Sequence, residues 1–190
     1  LISNSNRQVS AAATAYQVLI TPKILDMDAA IDRMVKYAKE YSLDRAGIQR
    51  TTKKLIKLIV RSEKYKLRNL QRLKTESKGE QFIAIMAHRA IAEYFSIKGE
   101  ASVYANELRE IVDIYPESPN QTLKVAEILL SYEERNKRSN SAEAMLKKLL
   151  ITIGSQSPNY LNRINNMLTG LYLRRGESLL QQKRSSEAIS

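Results

Sequence analysis

Residues 81–99 read QFIAIMAHRAIAEYFSIKG, and the spacing of their apolar side chains decides the fold class. Ile83, Met86, Ala87, Ala90, Ile91, Tyr94 and Phe95 recur at three- and four-residue steps, which puts them on one face of an α-helix. Lys98-Gly99 then stops it. Working outward toward the C-terminus, residues 101–115 predict a second helix ended by Pro116 and Pro119, and residues 120–136 a third. A polar turn, Asn136 to Ser141, separates these from a helix over 142–153 that ends at Gly154 with Pro158 beyond. Residues 159–182 hold Leu161, Ile164, Leu168, Leu171 and Tyr172, and another helix is expected from Ser185. Toward the N-terminus, Lys78-Gly79 is a stop. Arg45 to about Thr75 contains no proline and reads as one long amphipathic helix with at most one break. Ser42-Leu43-Asp44 is a turn and a cap, and Asp28 is expected to cap a helix through Tyr41. Residues 9–20 predict a short helix stopped before Pro22, preceded by a polar, frayed segment over 1–8. No stretch shows sustained β alternation. The expectation is an all-α chain of about eight helices in antiparallel hairpins.

Composition narrows the chemistry. The chain has 190 residues, 43% of them hydrophobic, with four prolines, six glycines, no cysteine and one histidine, His88. That excludes disulfide frameworks, thiol nucleophiles, cysteine-ligated zinc, iron–sulfur clusters and multi-histidine metal sites. The apolar runs are far shorter than the roughly 18 residues a membrane-crossing helix needs, and residues 1–20 do not have the pattern of a signal peptide. No glycine-rich phosphate loop or nucleophile elbow is present. No catalytic residue, metal ligand or cofactor site is expected, and His88 reads as structural. Absence of cysteine fits the cytoplasm and an extracytoplasmic compartment equally. The first residue is Leu and Ser190 falls inside a helical pattern, so the chain reads as a fragment truncated at its C-terminus.

Two passages resemble the tetratricopeptide repeat. In the first, Ala92, Phe95, Gly99 and Pro116 stand at the offsets of the family's small residue, aromatic, turn glycine and closing proline in its roughly 34-residue unit. In the second, Tyr172, the turn glycine Gly176 and Ala188 of Glu187-Ala188-Ile189 follow the same order, with Gly176 and Ala188 twelve residues apart. Residues 120–158 keep the Ser141-Ala-Glu-Ala144 start and the Pro158 stop. Tyr104, Ile111 and Arg175 depart from the pattern, and residues 1–80 contain no such unit. The resemblance implies a tetratricopeptide-like α-solenoid of stacked hairpins over 81–190, following N-terminal helices over 1–80 that include the long basic helix at about 45–75. It further implies that Gly176 permits close approach of two helices, and that a protein or peptide binds the concave face. The corresponding positions here are Met86, Arg89, Glu93, Ser96 and Ile97.

The charge is concentrated. Residues 45–78 hold twelve basic side chains against two acids, Glu63 and Glu76, so +10 of the chain's +11 lies there. Like charges four apart on a helix repel. Three readings follow: a solvated face, internal pairing with acidic helices such as 100–117 or Glu127–Glu134, or an anionic partner. The residues that would hold such a partner are Lys53, Lys54, Lys57, Arg61, Lys64, Arg68 and Arg72. The functional expectation is a non-enzymatic helical-repeat module for protein or peptide binding, a scaffold or adaptor. The alternatives are a ligand-sensing or regulatory segment of a larger signalling protein, and nucleic-acid or other polyanion binding through 45–78.

Overall fold

The computed structural model describes residues 2–24, 26–62 and 65–187. Lys64 and the Ala188-Ile189 end of the second repeat-like passage lie outside these residues. Nine α-helices account for nearly all of the described chain, with no strand among the described residues. The chain is therefore all-α, as the three- and four-residue spacing requires. No helix among the described residues is long and apolar enough to cross a membrane.

The helices fall into two compact units, Leu1–Glu107 and Leu108–Ser190. The first contains α1 (Ile2–Ile24), α2 (Met27–Glu40), α3 (Arg45–Arg61), α4 (Lys66–Glu76), α5 (Gln81–Ile97) and the first half of α6 (Ala101–Ile114). The Lys78-Gly79 stop lies inside this unit, and α4 and α5 on either side of it pack together. Its core gathers Ile31, Met34 and Tyr37 of α2, Leu55 and Ile59 of α3, Leu70 and Leu73 of α4, and Ile83 and Ile91 of α5, all completely buried. The apolar face of α3 is thus consumed against α1, α2, α4 and α5.

Several expected boundaries move. The polar segment 1–8 is helical from Ile2, and α1 runs through Pro22 to Ile24 instead of stopping before it. Proline lacks the N–H that would bond the carbonyl four residues back. Here that loss falls in the last turn, where the Thr21 hydroxyl donates to the Gln17 carbonyl at 2.6 Å and accepts from Arg33 at 3.0 Å. Asp26, not Asp28, caps α2 by accepting from the Ala29 amide at 2.6 Å. Asp44 caps α3 as expected. The long basic helix is two helices: Ser62 ends α3, its hydroxyl bonding the Ile59 carbonyl at 2.7 Å, and Tyr65 enters α4 in the left-handed conformation at φ 60°. A serine hydroxyl that takes a carbonyl of the preceding turn offers the backbone an alternative to continuing the helix.

The turn between α5 and α6 falls at the expected Lys98-Gly99 stop. Gly99 stands at φ +76°, its amide bonding the Ser96 carbonyl at 3.1 Å while the Glu100 amide bonds Phe95 at 2.9 Å. These are the paired 5→2 and 6→1 bonds of a Schellman ending, which needs a left-handed residue and favours glycine.

The second unit contains the rest of α6, then α7 (Pro119–Arg135), α8 (Ser139–Thr152), a 3₁₀ turn over Gly154–Gln156, and α9 (Pro158–Glu187). Leu123 and Ala126 of α7, Leu146 and Leu149 of α8, and Ile164 and Leu171 of α9 form its buried centre. The expected turn at Gly176 and new helix from Ser185 are not present, because α9 is a single 30-residue helix through both positions. A Cβ built on Gly176 meets no heavy atom within 4 Å, so no helix among the described residues approaches it closely.

Candidate anion-binding face

Two groups of cations within 45–78 differ in their surroundings. On α4, Arg72 places its guanidinium 2.7 Å from Asp28 and 2.6 Å from Asp32, and Arg68 lies 3.1 Å from Asp28. The Arg72 hydrogen bond dominates in holding the Asp28 carboxyl below its ordinary value, and the same bond raises Arg72. Lys74 reaches Glu107 at 3.2 Å. Internal pairing is therefore the fate of these α4 cations. Only one of their acids, Glu107, comes from the helix expected over 100–117, and the other two come from α2. Glu127 and Glu134 pair instead with Arg163 and Arg174 of α9, each at 2.7 Å.

On α3 the arrangement is different. Its sequence, RAGIQRTTKKLIKLIVR, contains six cations and no acid. At about 100° per residue, Arg50, Lys53, Lys54, Lys57 and Arg61 fall within a sector of about 100°. The buried Ile48, Thr51, Thr52, Leu55, Ile56 and Ile59 occupy the opposite side. All five cations are exposed, and among the described residues Lys53, Lys54, Lys57 and Arg61 form no ion pair. The one acid close to the helix start, Asp44, is engaged: one carboxylate oxygen accepts from the Gly47 amide at 3.0 Å and the other from the Tyr37 hydroxyl at 2.7 Å. Tyr37 is fully buried. That desolvation, with the Asp44 carboxylate beside it, pushes its phenol well above the ordinary value.

The structure thus brings together Lys53, Lys54, Lys57 and Arg61, adds Arg50 to them, and removes Arg68 and Arg72 from the set. Lys53 and Lys57 do not share one continuous helix with Arg68, since α3 ends at Arg61. Arg50 carried no signal of its own in a window with eleven other cations. The phase of α3 and the acids facing α4 identify it.

The residues expected to bind a peptide lie on α5. Arg89, Glu93, Ser96 and Ile97 are exposed, Ile97 at 81%, and Met86 is half-buried. They form a single mixed stripe in which Arg89 and Glu93 carry opposite charges. His88 is buried, its Nδ1 2.7 Å from Glu107 Oε2. Burial opposes ionisation of Glu107, but the His88 hydrogen bond and the Lys74 charge hold its carboxyl below the ordinary value. This His–Glu pair, nineteen residues apart in sequence, joins α5 to α6. His88 and Glu107 are 2% and 9% exposed, so the pair is closed to a substrate.

No family model matches the chain, and no curated protein matches it either.

Proposed function

We propose that the chain is a non-enzymatic helical module that holds an anionic macromolecular partner against the outer face of α3. The observation that carries this reading is the contrast between neighbouring helices. Arg68 and Arg72 of α4 are neutralised by Asp28 and Asp32, whereas α3 carries five cations on one face with no acid among them. Close like charges on one helix are mutually destabilising, and an anionic partner removes that repulsion. The α5 stripe, with its charges of both signs, supports a peptide-binding reading less strongly. A binding role agrees with the enclosure of His88 and Glu107, the pair that comes closest to a catalytic arrangement.

The test replaces Lys53, Lys54 and Lys57 together with glutamine. These side chains are exposed and have no ionic partner among the described residues, so the melting temperature should hold or rise. Elution from a heparin column should shift to markedly lower salt. Arg72→Gln, which breaks two ion pairs, should instead lower stability by about 1 kcal/mol. A triple variant that loses stability while its heparin elution stays unchanged would assign α3 a purely structural role.

A further inference from the structure

We infer that the occupant of the α3 face is the phosphodiester backbone of nucleic acid, bound without regard to sequence. This rests on the proposed anion-binding role of α3 and specifies its partner. Arg50 to Arg61 spans eleven residues, or about 16 Å at 1.5 Å per residue. Along the helix axis the five cations of the sector lie at about 0, 4.5, 6, 10.5 and 16.5 Å, an average of one positive charge per about 4 Å. Each strand of duplex DNA presents one phosphate per about 3.4 Å of axis. Both are rows of like charge a few ångströms apart, which suits a repeating polyanion better than a folded protein with scattered acids.

The rest of the sector points the same way. Protein interfaces are anchored by aromatic, methionine and arginine side chains, and lysine is depleted from them. Three of these five cations are lysines, α3 contains no aromatic residue, and its leucines and isoleucines are turned inward except for the half-buried Leu58. A helix lying on an anionic bilayer needs apolar side chains to sink below the headgroups. Val60, 42% exposed, stands at the edge of the sector, and the other side chains within it are the cations and Ala46. Sequence readout would require amide or guanidinium forks aimed at base edges, or stacked aromatics. Tyr65, an exposed aromatic, lies beyond the end of α3 with the Arg68 guanidinium 5.7 Å from its ring centroid. Three of the five cations are lysines, point charges that bind phosphate without reading sequence.

The experiment measures affinity for a mixed-sequence 30-base-pair duplex at 50 and 200 mM salt. It is run on the wild-type chain, on the Lys53→Gln/Lys54→Gln/Lys57→Gln variant, and on a charge-matched control, Lys98→Gln/Lys124→Gln/Lys183→Gln. Polyglutamate and phosphatidylserine vesicles are titrated beside the duplex. Five phosphate contacts give a log–log salt slope of about −4.5, so wild-type affinity should fall about 500-fold across that range. Two remaining contacts give about −1.8 and a fall of about 12-fold. The control should keep the wild-type slope, and a second duplex of unrelated sequence should bind within a few-fold. Equal slopes for the two variants on the duplex would overturn the inference. Binding of polyglutamate or vesicles through the three lysines, with no duplex binding, would overturn it while leaving the anion-binding role of α3 standing. Loss of no ligand in the triple variant would overturn both.

Discussion

Gly47→Ala should destabilise the first unit, although alanine in place of a helical glycine ordinarily helps. Gly47 is the third residue of α3, and the exchange would by propensity alone contribute about 1 kcal/mol in favour of the helix. A Cβ at this position, however, runs into the Asp44 carboxylate and the Tyr37 hydroxyl. Asp44 cannot retreat without giving up the cap on α3, worth about 1 kcal/mol. Tyr37 cannot retreat because its side chain is completely buried. Forcing the two apart leaves the Tyr37 hydroxyl without its partner, at a further cost of about 1–3 kcal/mol. The net is a loss of about 1–3 kcal/mol, read as a lower urea midpoint with an unchanged slope. Gly79→Ala is the control, since a Cβ there meets nothing within 4 Å and φ is not positive. It should be neutral or slightly stabilising. Tyr37→Phe removes one of the two obstacles, so the double variant should lose less than the sum of the single losses. A Gly47→Ala chain as stable as wild type would show that the cap and the tyrosine rearrange freely, and would refute the reasoning.

Gly176→Ala should stabilise the middle of α9 by up to about 1 kcal/mol, raising helical circular dichroism slightly, because the added methyl enters open space. A loss of stability there would restore the close helix approach implied by the repeat-like register. At high pH the unfolded chain releases the Tyr37 proton near 10.0 while the folded chain retains it, so stability should fall as pH rises above that value. Tyr37→Phe should flatten this alkaline limb in a urea titration, and an unchanged limb would deny the buried hydrogen bond. Glu107 has the opposite sign: its folded carboxyl titrates below the ordinary 4.5, so its stabilisation is complete above that value and is lost as pH falls through the folded one. Glu107→Gln should reduce the acid sensitivity of the first unit, as followed by denaturation between pH 5 and pH 2.

Helices were legible because their information is local. The Asp44 cap and the Gly99 ending could be read from residue type and the apolar positions beside them. Asp26 and Asp28 precede the same apolar run; Asp26 caps α2, and Asp28 pairs with Arg68 and Arg72, some forty residues away. Pro22 looked like a stop because propensity describes an isolated helix, whereas α1 is held along its length by α2 and α3. Gly176 shows the reverse failure: a turn glycine at the right spacing is still a helical residue when nothing closes the turn around it. The excess of positive charge could be counted in the sequence, but its division between paired and unpaired cations could not. The acids that neutralise α4 lie on α2 and α6, and the packing that brings them there is tertiary.

The Glu107 carboxylate is shared by Lys74 of α4 and His88 of α5 while belonging to α6. Three helices therefore meet on one buried charge. Detaching either α4 or α5 strips that carboxylate of a partner while the rest of its enclosure stays dry, which is costlier than losing an equal area of apolar contact. Partial opening is accordingly disfavoured relative to none or all. In native-state hydrogen exchange, the amides of α4 and α5 should open together with those of the first half of α6, as one cooperative block with a common free energy.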